Sequence, residues 1–243
     1  MIFVSLLNVN LFGQKLKNDS LPATKINKFN YKALIIPSAL ITYGLIGIES
    51  DGLKLLNAEI KEEINEHIDE KFTIDDISQY TPFLSVYALN AFGVKGKHNF
   101  KDRTIILGTA YLIMATSVHF AKSSGNVLRP DASTNNSFPS GHTATAFMGA
   151  EFLLQEYKDT SVWYGISGYL VASGTGFFRM YNNRHWLTDI AAGAGIGILS
   201  TKIAYWTYPF LKRTIFKDRK NTNGIVMPFY DGKDYGLGIS MSF

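Results

Sequence analysis

The sequence predicts an all-α protein: a bundle of about six core helices, with one amphipathic helix on its surface and a small β-hairpin at the C-terminus. Six apolar stretches recur along the chain, separated by short polar connectors, and this pattern is typical of buried or membrane-spanning helices. Cysteine is absent, which excludes disulfides and thiolate metal sites. A chain of 243 residues without repeats or long linkers fits one large domain.

The six core stretches are only moderately apolar. They contain Thr, Ser, Tyr and Gly, and the mean hydropathy of the whole chain is +0.02. The composition therefore leaves two settings open for these helices: a bundle buried in water, and six membrane spans. The stretches are 33–49, 82–94, 104–121, 143–155, 162–178 and 190–208.

The N-terminal segment, residues 1–32, has two interpretations. Residues 2–12 form an apolar run that is too short to span a bilayer and lacks the positive n-region of a signal peptide. The run is either the remnant of a signal that starts further upstream or a frayed apolar terminus. The helical domain is then expected over residues 33–210, and residues 211–243 form a basic linker and the hairpin tail.

The amphipathic helix is expected over residues 53–70. Its apolar residues recur at helical spacing among Lys, Glu and Asp, so one face packs on a surface, whether of the protein or of a bilayer. These apolar residues are Leu53, Leu56, Ile60, Ile64 and Ile68.

The hairpin prediction rests on a change of period near the C-terminus. From Tyr235 to Phe243, apolar side chains alternate with Gly and Ser, and Asp231-Gly232 before them is a turn signal. An aromatic residue that ends an alternating strand also resembles the end of an outer-membrane barrel. One hairpin cannot close a barrel, so we expect a two-stranded ribbon.

Charge excludes one class of partner. The formal net charge is +4, and the basic residues are scattered along the chain. No stripe of Lys and Arg alternates with aromatic residues, so nucleic acid is not an expected partner. The sequence does not determine the oligomeric state.

Three short segments contain the groups that a phosphate site needs. They are Lys122-x6-Arg129-Pro130, Pro139-Ser140-Gly141-His142 and Arg179-x5-His185-x3-Asp189. They lie at the ends of the third and fifth apolar stretches and at the starts of the fourth and sixth. Alternate helix ends share one face of an up-down bundle, so we expect the three segments to meet there.

The residue types in these segments fit attack on phosphorus. His185 and Asp189 are four residues apart, so on a helix they share a face, and a carboxylate on one imidazole nitrogen leaves the other as a nucleophile. Lys122, Arg129 and Arg179 supply fixed positive charge for the transition state.

The Pro-Ser-Gly-His segment supplies the remaining groups. Ser140 and Gly141 precede a helix, so their backbone N–H groups can point at an anion. His142 is then available to protonate the leaving oxygen as a general acid.

Together the three segments resemble the signature of the type 2 phosphatidic acid phosphatase and vanadium haloperoxidase superfamily. Its pattern is Lys-x6-Arg-Pro, then Pro-Ser-Gly-His, then Ser-Arg-x5-His-x3-Asp. This chain matches from Lys122 to Asp189, with Phe178 where the family usually has Ser. That Ser would add one hydrogen bond near the phosphate.

The resemblance implies a helical bundle and a role for each matching residue. His185 forms a phosphohistidine, Asp189 supports it, and His142 protonates the leaving group and later activates water. No metal ion or other cofactor is implied. The residues expected to bind phosphate are Lys122, Arg129, Ser140, Gly141 and Arg179.

The expected function is therefore metal-independent hydrolysis of a phosphomonoester or diphosphate, with a membrane lipid as substrate. Phosphatidate, phosphatidylglycerol phosphate, undecaprenyl diphosphate and the phosphates of lipid A are candidates. One alternative is a soluble periplasmic acid phosphatase of broad specificity. A vanadate haloperoxidase is less expected, since such chains are usually much longer. A non-enzymatic membrane scaffold is also less expected, because both histidines and Asp189 are present.

Charge also predicts an orientation. The connectors 15–32, 95–103 and 212–220 at one end of the bundle are basic, whereas the active end carries the acidic segment 51–76. In a bacterial inner membrane, the positive-inside rule then places the site on the periplasmic side. A signal cleaved near Gln14 conflicts with this topology, and the low hydropathy keeps a soluble or peripheral periplasmic form open.

Overall fold

The computed structural model describes residues 31–66, 73–214, 223–230 and 235–242, the last two ranges by their backbone alone. The N-terminal apolar run and Ile68 lie outside these residues. A 3₁₀ turn, Tyr31–Leu34, opens the described part of the chain. The helices that follow are α1 (Ile35–Glu49), α2 (Asp51–Asn65), α3 (Ile74–Ser78), α4 (Thr81–Ala91), α5 (Phe100–Ser124), α6 (Gly141–Tyr157), α7 (Val162–Tyr181) and α8 (Leu187–Thr214).

The all-α prediction is confirmed, and each predicted core stretch corresponds to one helix. Side-chain caps set several starts that apolar periodicity does not locate. Asn99 Oδ1 accepts from Asp102 N at 2.8 Å and starts α5 four residues before the apolar stretch. Ser140 and Ser161 cap α6 and α7 in the same way. The helix missing from the prediction is the short α3, whose five residues are too few to show a period.

The centre of the bundle is α6, which packs against α4, α5, α7 and α8. Its approach to α8 is close because two glycines of α8 face it. A Cβ added at Gly193 would lie 2.5 Å from the Ser140 carbonyl oxygen, and one added at Gly197 would collide with the Ala144 carbonyl. Two helical backbones therefore touch along this face.

The alternating direction of the helices brings the three motif segments to the same end of the bundle. Helices α5 and α7 run toward this end, and α6 and α8 run away from it, as the expected up-down arrangement requires. Close by, Ser78 at the end of α3 lies 2.8 Å, hydroxyl to hydroxyl, from Thr175 in α7. We call this end of the bundle the site end, and the opposite end the basic end.

The amphipathic helix α2 lies across the site end and contacts its loops. Asn57 Nδ2 donates to Thr188 Oγ1 at 3.0 Å, and Lys61 Nζ donates to the Pro130 carbonyl at 2.8 Å. In the described part of the chain the helix spans Asp51–Asn65, and the predicted end near residue 70 lies outside the described residues. Leu56, expected on the packed face, is 37% exposed, because α2 turns the polar Asn57 toward the bundle instead.

Three described helices are long and apolar enough to cross a membrane: Tyr31–Glu49, Phe100–Ser124 and Leu187–Thr214. The second carries large apolar side chains on its outer surface, including Leu112 and Phe120, which are 67% and 71% exposed. Such a surface is expected to face lipid. The third is mostly buried inside the bundle.

Two strands follow the helices, β1 (Asn223–Tyr230) and β2 (Tyr235–Ser242), paired antiparallel with Val226 opposite Ile239. The turn between them and their side chains lie outside the described part of the chain. The predicted hairpin stays a prediction, as does the division of the chain into three segments.

Candidate active site

The three motif segments meet at the site end, as the spacing predicts. The loop between α5 and α6 folds back on itself, with Arg129 N bonded to the Thr134 carbonyl at 3.0 Å. This turn places Asn136 between two of the predicted phosphate ligands. Lys122 Nζ donates to the Asn136 carbonyl at 2.6 Å, and Arg129 Nε donates to its side-chain oxygen at 3.0 Å.

The predicted nucleophile and its carboxylate are both buried. His185 Nδ1 lies 3.6 Å from Asp189 Oδ2, which is longer than a hydrogen bond, and within the described residues that nitrogen has no other partner. Asp189 Oδ2 instead accepts from Ser137 Oγ at 2.5 Å and Trp186 N at 2.9 Å. The carboxylate is thus held in place beside the imidazole.

Burial also sets the charge of His185, the predicted nucleophile. His185 is 3% exposed, and this burial lowers its pKa to about 4, although the Asp189 carboxylate acts in the opposite direction. A neutral imidazole keeps a lone pair for attack. His185 therefore has the nucleophilic form throughout the neutral range.

The loop that presents His185 is built on the end of α7. The backbone N–H groups of Arg184 and His185 both donate to the Arg179 carbonyl, at 2.9 and 3.3 Å. Asn183 takes a left-handed conformation with φ of 55°, which asparagine tolerates better than most residues. One short turn of hydrogen-bonded backbone therefore fixes the position of His185 relative to Arg179.

Two carboxylates that the sequence analysis did not single out lie in the site. Asp75 Oδ2 accepts from Arg179 Nη1 at 2.5 Å, and Asp76 Oδ1 lies 2.9 Å from His142 Nε2. Both belong to α3. The sequence placed the whole acidic segment 51–76 at the active end, with no role for its individual residues. Within that segment, the adjacent Asp75-Asp76 pair was the only sequence feature that could have indicated two carboxylates in the site.

Ser140 is placed differently from the expectation. Its backbone N–H donates to the Asp189 carbonyl at 3.1 Å, so in this conformation it cannot serve an anion. Its hydroxyl caps α6 and accepts from Thr143 N at 3.4 Å. Within the described residues, the N–H groups of Gly141 and His142 have no such partner and remain available. The role of Ser140 in phosphate binding stays a prediction.

An open cavity of about 190 Å³ is lined by most of the charged side chains of the site. His185 and Lys122 do not border it. His185 borders a smaller space beneath α2, beside Ile60 and Pro130. The structure thus joins the arginines and His142 around one cavity, and it buries His185, the predicted nucleophile, in the turn that follows Arg179. The cavity is lined by Thr73, Asp75, Asp76, Arg129, His142, Arg179, Asn182 and Arg184.

Phe178, the departure from the family pattern, packs on aromatic neighbours. Its ring centroid lies 5.8 Å from those of Phe177 and Tyr181. It therefore supplies packing at this position, with no hydroxyl for a phosphate.

A metal ion bound in this site would compete with Arg179 for the two carboxylates of α3. Asp75, Asp76 and His142 each offer a ligand atom within 4.8 Å of the others. Arg179 Nη1, however, already lies 2.5 Å from Asp75 and 3.7 Å from Asp76. A cation would have to displace this guanidinium, which favours the metal-independent prediction without testing it.

Comparison with known proteins gives matches that cover the same segments. Residues 103–213 match the family model of the PAP2 superfamily. The lipid A 1-phosphatase of Porphyromonas gingivalis is 38% identical over 172 residues, which are 70% of this chain and 37% of that protein. The bacitracin transport permease protein BcrC of Bacillus licheniformis is 35% identical over 77 residues, 32% of this chain and 36% of that protein.

The chain thus spans little more than a third of the length of either curated relative. Among solved structures, the crystal structure of Aquifex aeolicus LpxE aligns with a TM-score of 0.48 and 25% sequence identity. That alignment covers 62% of this chain and 94% of the other.

Proposed function

This chain belongs to the PAP2 superfamily, and on that premise we propose that it is a phosphatase that removes phosphate from a membrane lipid without a metal ion. One observation carries the proposal. Arg129, Arg179 and His142 line a single cavity. His185, which lies 3.6 Å from Asp189, is joined to Arg179 by a backbone hydrogen bond of 3.3 Å. Cations, an acid and a nucleophile in one place are what phosphoryl transfer requires.

A lipid substrate follows from the setting of the site. The chain is a membrane protein, with three helices long and apolar enough to cross the bilayer. The site end of the bundle then lies at the level of lipid headgroups, which favours a lipid phosphate over the soluble substrates of an acid phosphatase. The 38% identical relative is named a lipid A 1-phosphatase, so a lipid A type of phosphomonoester is the first candidate.

The reaction divides into two transfers. In the first, His185 Nε2 attacks phosphorus, the bond from phosphorus to the lipid oxygen breaks, and His142 gives its proton to that oxygen. In the second, water attacks the phosphohistidine, His142 takes the proton of the water, and the P–N bond breaks to release phosphate. Arg129, Arg179 and Lys122 stabilise the charge on the phosphoryl oxygens in both steps.

The direct test is phosphate release by the purified protein. We expect release from vesicles that contain lipid A 1-phosphate or phosphatidate, equal with and without EDTA, and inhibited by vanadate, which mimics the five-coordinate transition state. Activity that disappears with EDTA and returns with a divalent cation would contradict the metal-independent mechanism. No release from any lipid phosphate would contradict the function itself.

We also propose that the site faces the periplasm from the bacterial inner membrane. The exposed lysines of the basic end, Lys32, Lys95, Lys97 and Lys101, support this orientation through the positive-inside rule. Arg103 is 1% exposed and bonds the His98 carbonyl, so it does not contribute to the loop charge. The site end instead carries acidic side chains on α2 and α3.

Orientation can be measured by cysteine labelling, since the native chain contains no cysteine. Exposed positions at the two ends are Glu59 in α2 and Lys97 before α5. In spheroplasts, an impermeant thiol reagent is expected to label Glu59→Cys directly and Lys97→Cys only after lysis. The reverse pattern would place the site in the cytoplasm.

A further inference from the structure

Asp76 stands next to the predicted general acid. Its Oδ1 lies 2.9 Å from His142 Nε2, and the two side chains are 58% and 31% exposed on the wall of the cavity. Within the described residues, His142 Nδ1 has no hydrogen-bond partner. One ring nitrogen is therefore occupied by a carboxylate, and the other is left for a reacting oxygen.

The position of Asp76 is set by buried neighbours. Asp75, next in the chain, is 0% exposed and accepts from Arg179 and from Asn182 Nδ2, the latter at 3.0 Å. At the other end of α3, Ser78 bonds Thr175 in α7. These contacts anchor α3 on both sides, so Asp76 is aimed at His142 by a fixed backbone rather than by a mobile surface loop.

Resting on the proposed phosphatase reaction, we propose that Asp76 is the positioning residue of the general acid. It holds His142 through Nε2–H, which directs Nδ1 at the leaving oxygen in the first step and at water in the second. A carboxylate in this place fixes the tautomer and stabilises the imidazolium. The site then contains two His–Asp pairs, one for the nucleophile and one for proton transfer.

The other charged groups around His142 change its pKa, and Asp76 opposes that change. Arg129, Arg179 and Arg184 line the same cavity, and Asp75 lies behind Arg179. Burial and the charge of Arg179 lower the pKa of His142, and Asp76 acts against both. The general acid must be protonated, and its protonated fraction falls as pH rises through the pKa. Loss of Asp76 therefore moves the alkaline limb of the profile to lower pH.

The test compares Asp76→Asn on two substrates with different leaving groups. Phosphatidate releases an alkoxide that needs a proton, whereas p-nitrophenyl phosphate releases a stable phenolate. Because general acid catalysis contributes ~10²–10⁴-fold, we expect kcat/KM to fall by about 10- to 100-fold on phosphatidate and by less than about threefold on p-nitrophenyl phosphate. The parameter kcat/KM reports the first transfer only, so the second step does not obscure the comparison.

Two further measurements separate positioning from a structural role. On phosphatidate, the alkaline limb of kcat/KM is expected to move to lower pH in Asp76→Asn. Adding Asp76→Asn to His142→Gln is expected to cost nothing more, because a residue that acts through His142 has no effect once His142 is gone. Asp51→Asn, at a side chain that is 98% exposed on α2, is the matched control and should behave as wild type.

The outcomes are distinct. Equal losses on both substrates, an unshifted alkaline limb, or an additive loss in the double variant would each overturn the positioning role of Asp76. A wild-type protein that hydrolyses neither substrate would instead overturn the phosphatase proposal on which this inference rests.

Discussion

Replacing His185 with alanine is expected to abolish phosphate release from every substrate of the protein. In the proposed mechanism the imidazole forms the bond to phosphorus, and among the described residues Asp189 is paired with no other histidine. Removing the nucleophile of a covalent mechanism typically costs ~10⁴-fold or more in kcat. The measurement is release of inorganic phosphate by purified His185→Ala in detergent.

The covalent step gives a second readout for the same variant. Rapid denaturation of the wild type during turnover should trap a phosphoenzyme that is labile in acid and stable in alkali, as a phosphorus–nitrogen bond is. His185→Ala should give none. A phosphoenzyme that persists in His185→Ala would place the nucleophile elsewhere.

A matched histidine variant controls for general damage. His119 is an exposed residue of α5 outside the motif segments. His119→Ala should keep wild-type activity and phosphoenzyme. If His185→Ala also kept its activity, the whole assignment of the catalytic residues would be wrong.

The second large effect is expected from adding one methyl group at Gly197. The new Cβ would collide with the carbonyl oxygen of Ala144, and this oxygen belongs to a helix backbone that cannot rotate away. Helices α6 and α8 would have to separate along the central contact of the bundle. Overpacking of this kind costs about 1–3 kcal/mol, which is a large part of the stability of a typical domain.

Thermal unfolding in detergent measures this effect, and the chain supplies its own controls. Gly108 in α5 and Gly174 in α7 have nothing within 4 Å of a built Cβ. Alanine has the higher helix propensity, by about 1 kcal/mol, so Gly108→Ala and Gly174→Ala should leave the midpoint unchanged or raise it. Gly197→Ala should lower it clearly. Equal midpoints for all three variants would refute the close packing of α6 on α8.

The order of the core helices was readable from the sequence, whereas several of their starts depend on side-chain caps. Apolar runs between polar connectors located the core helices, and chain direction in an up-down bundle then brought the three motif segments together. Lys122, Arg129 and Arg179 each stand at or just beyond a helix end. Their convergence needed no knowledge of side-chain packing.

Helix α3 and the hydrogen bonding of Ser140 could not be predicted from apolar periodicity and chain direction. Helix α3 has five residues, too few for a period, and its two aspartates reach Arg179 and His142 across roughly 65–105 positions of sequence. Ser140 illustrates a second limit. Whether its backbone N–H faces an anion or the Asp189 carbonyl depends on how closely α6 approaches α8.

By itself, the sequence determined the class of fold and the end of the bundle where the three motif segments meet, because these follow from local periodicity and chain direction. Only the tertiary structure decided which charges are paired, that His185 is buried, and that the carboxylate of Asp76 contacts His142. Such contacts join segments far apart in the chain, and their distances depend on close packing between helices, which no local pattern encodes.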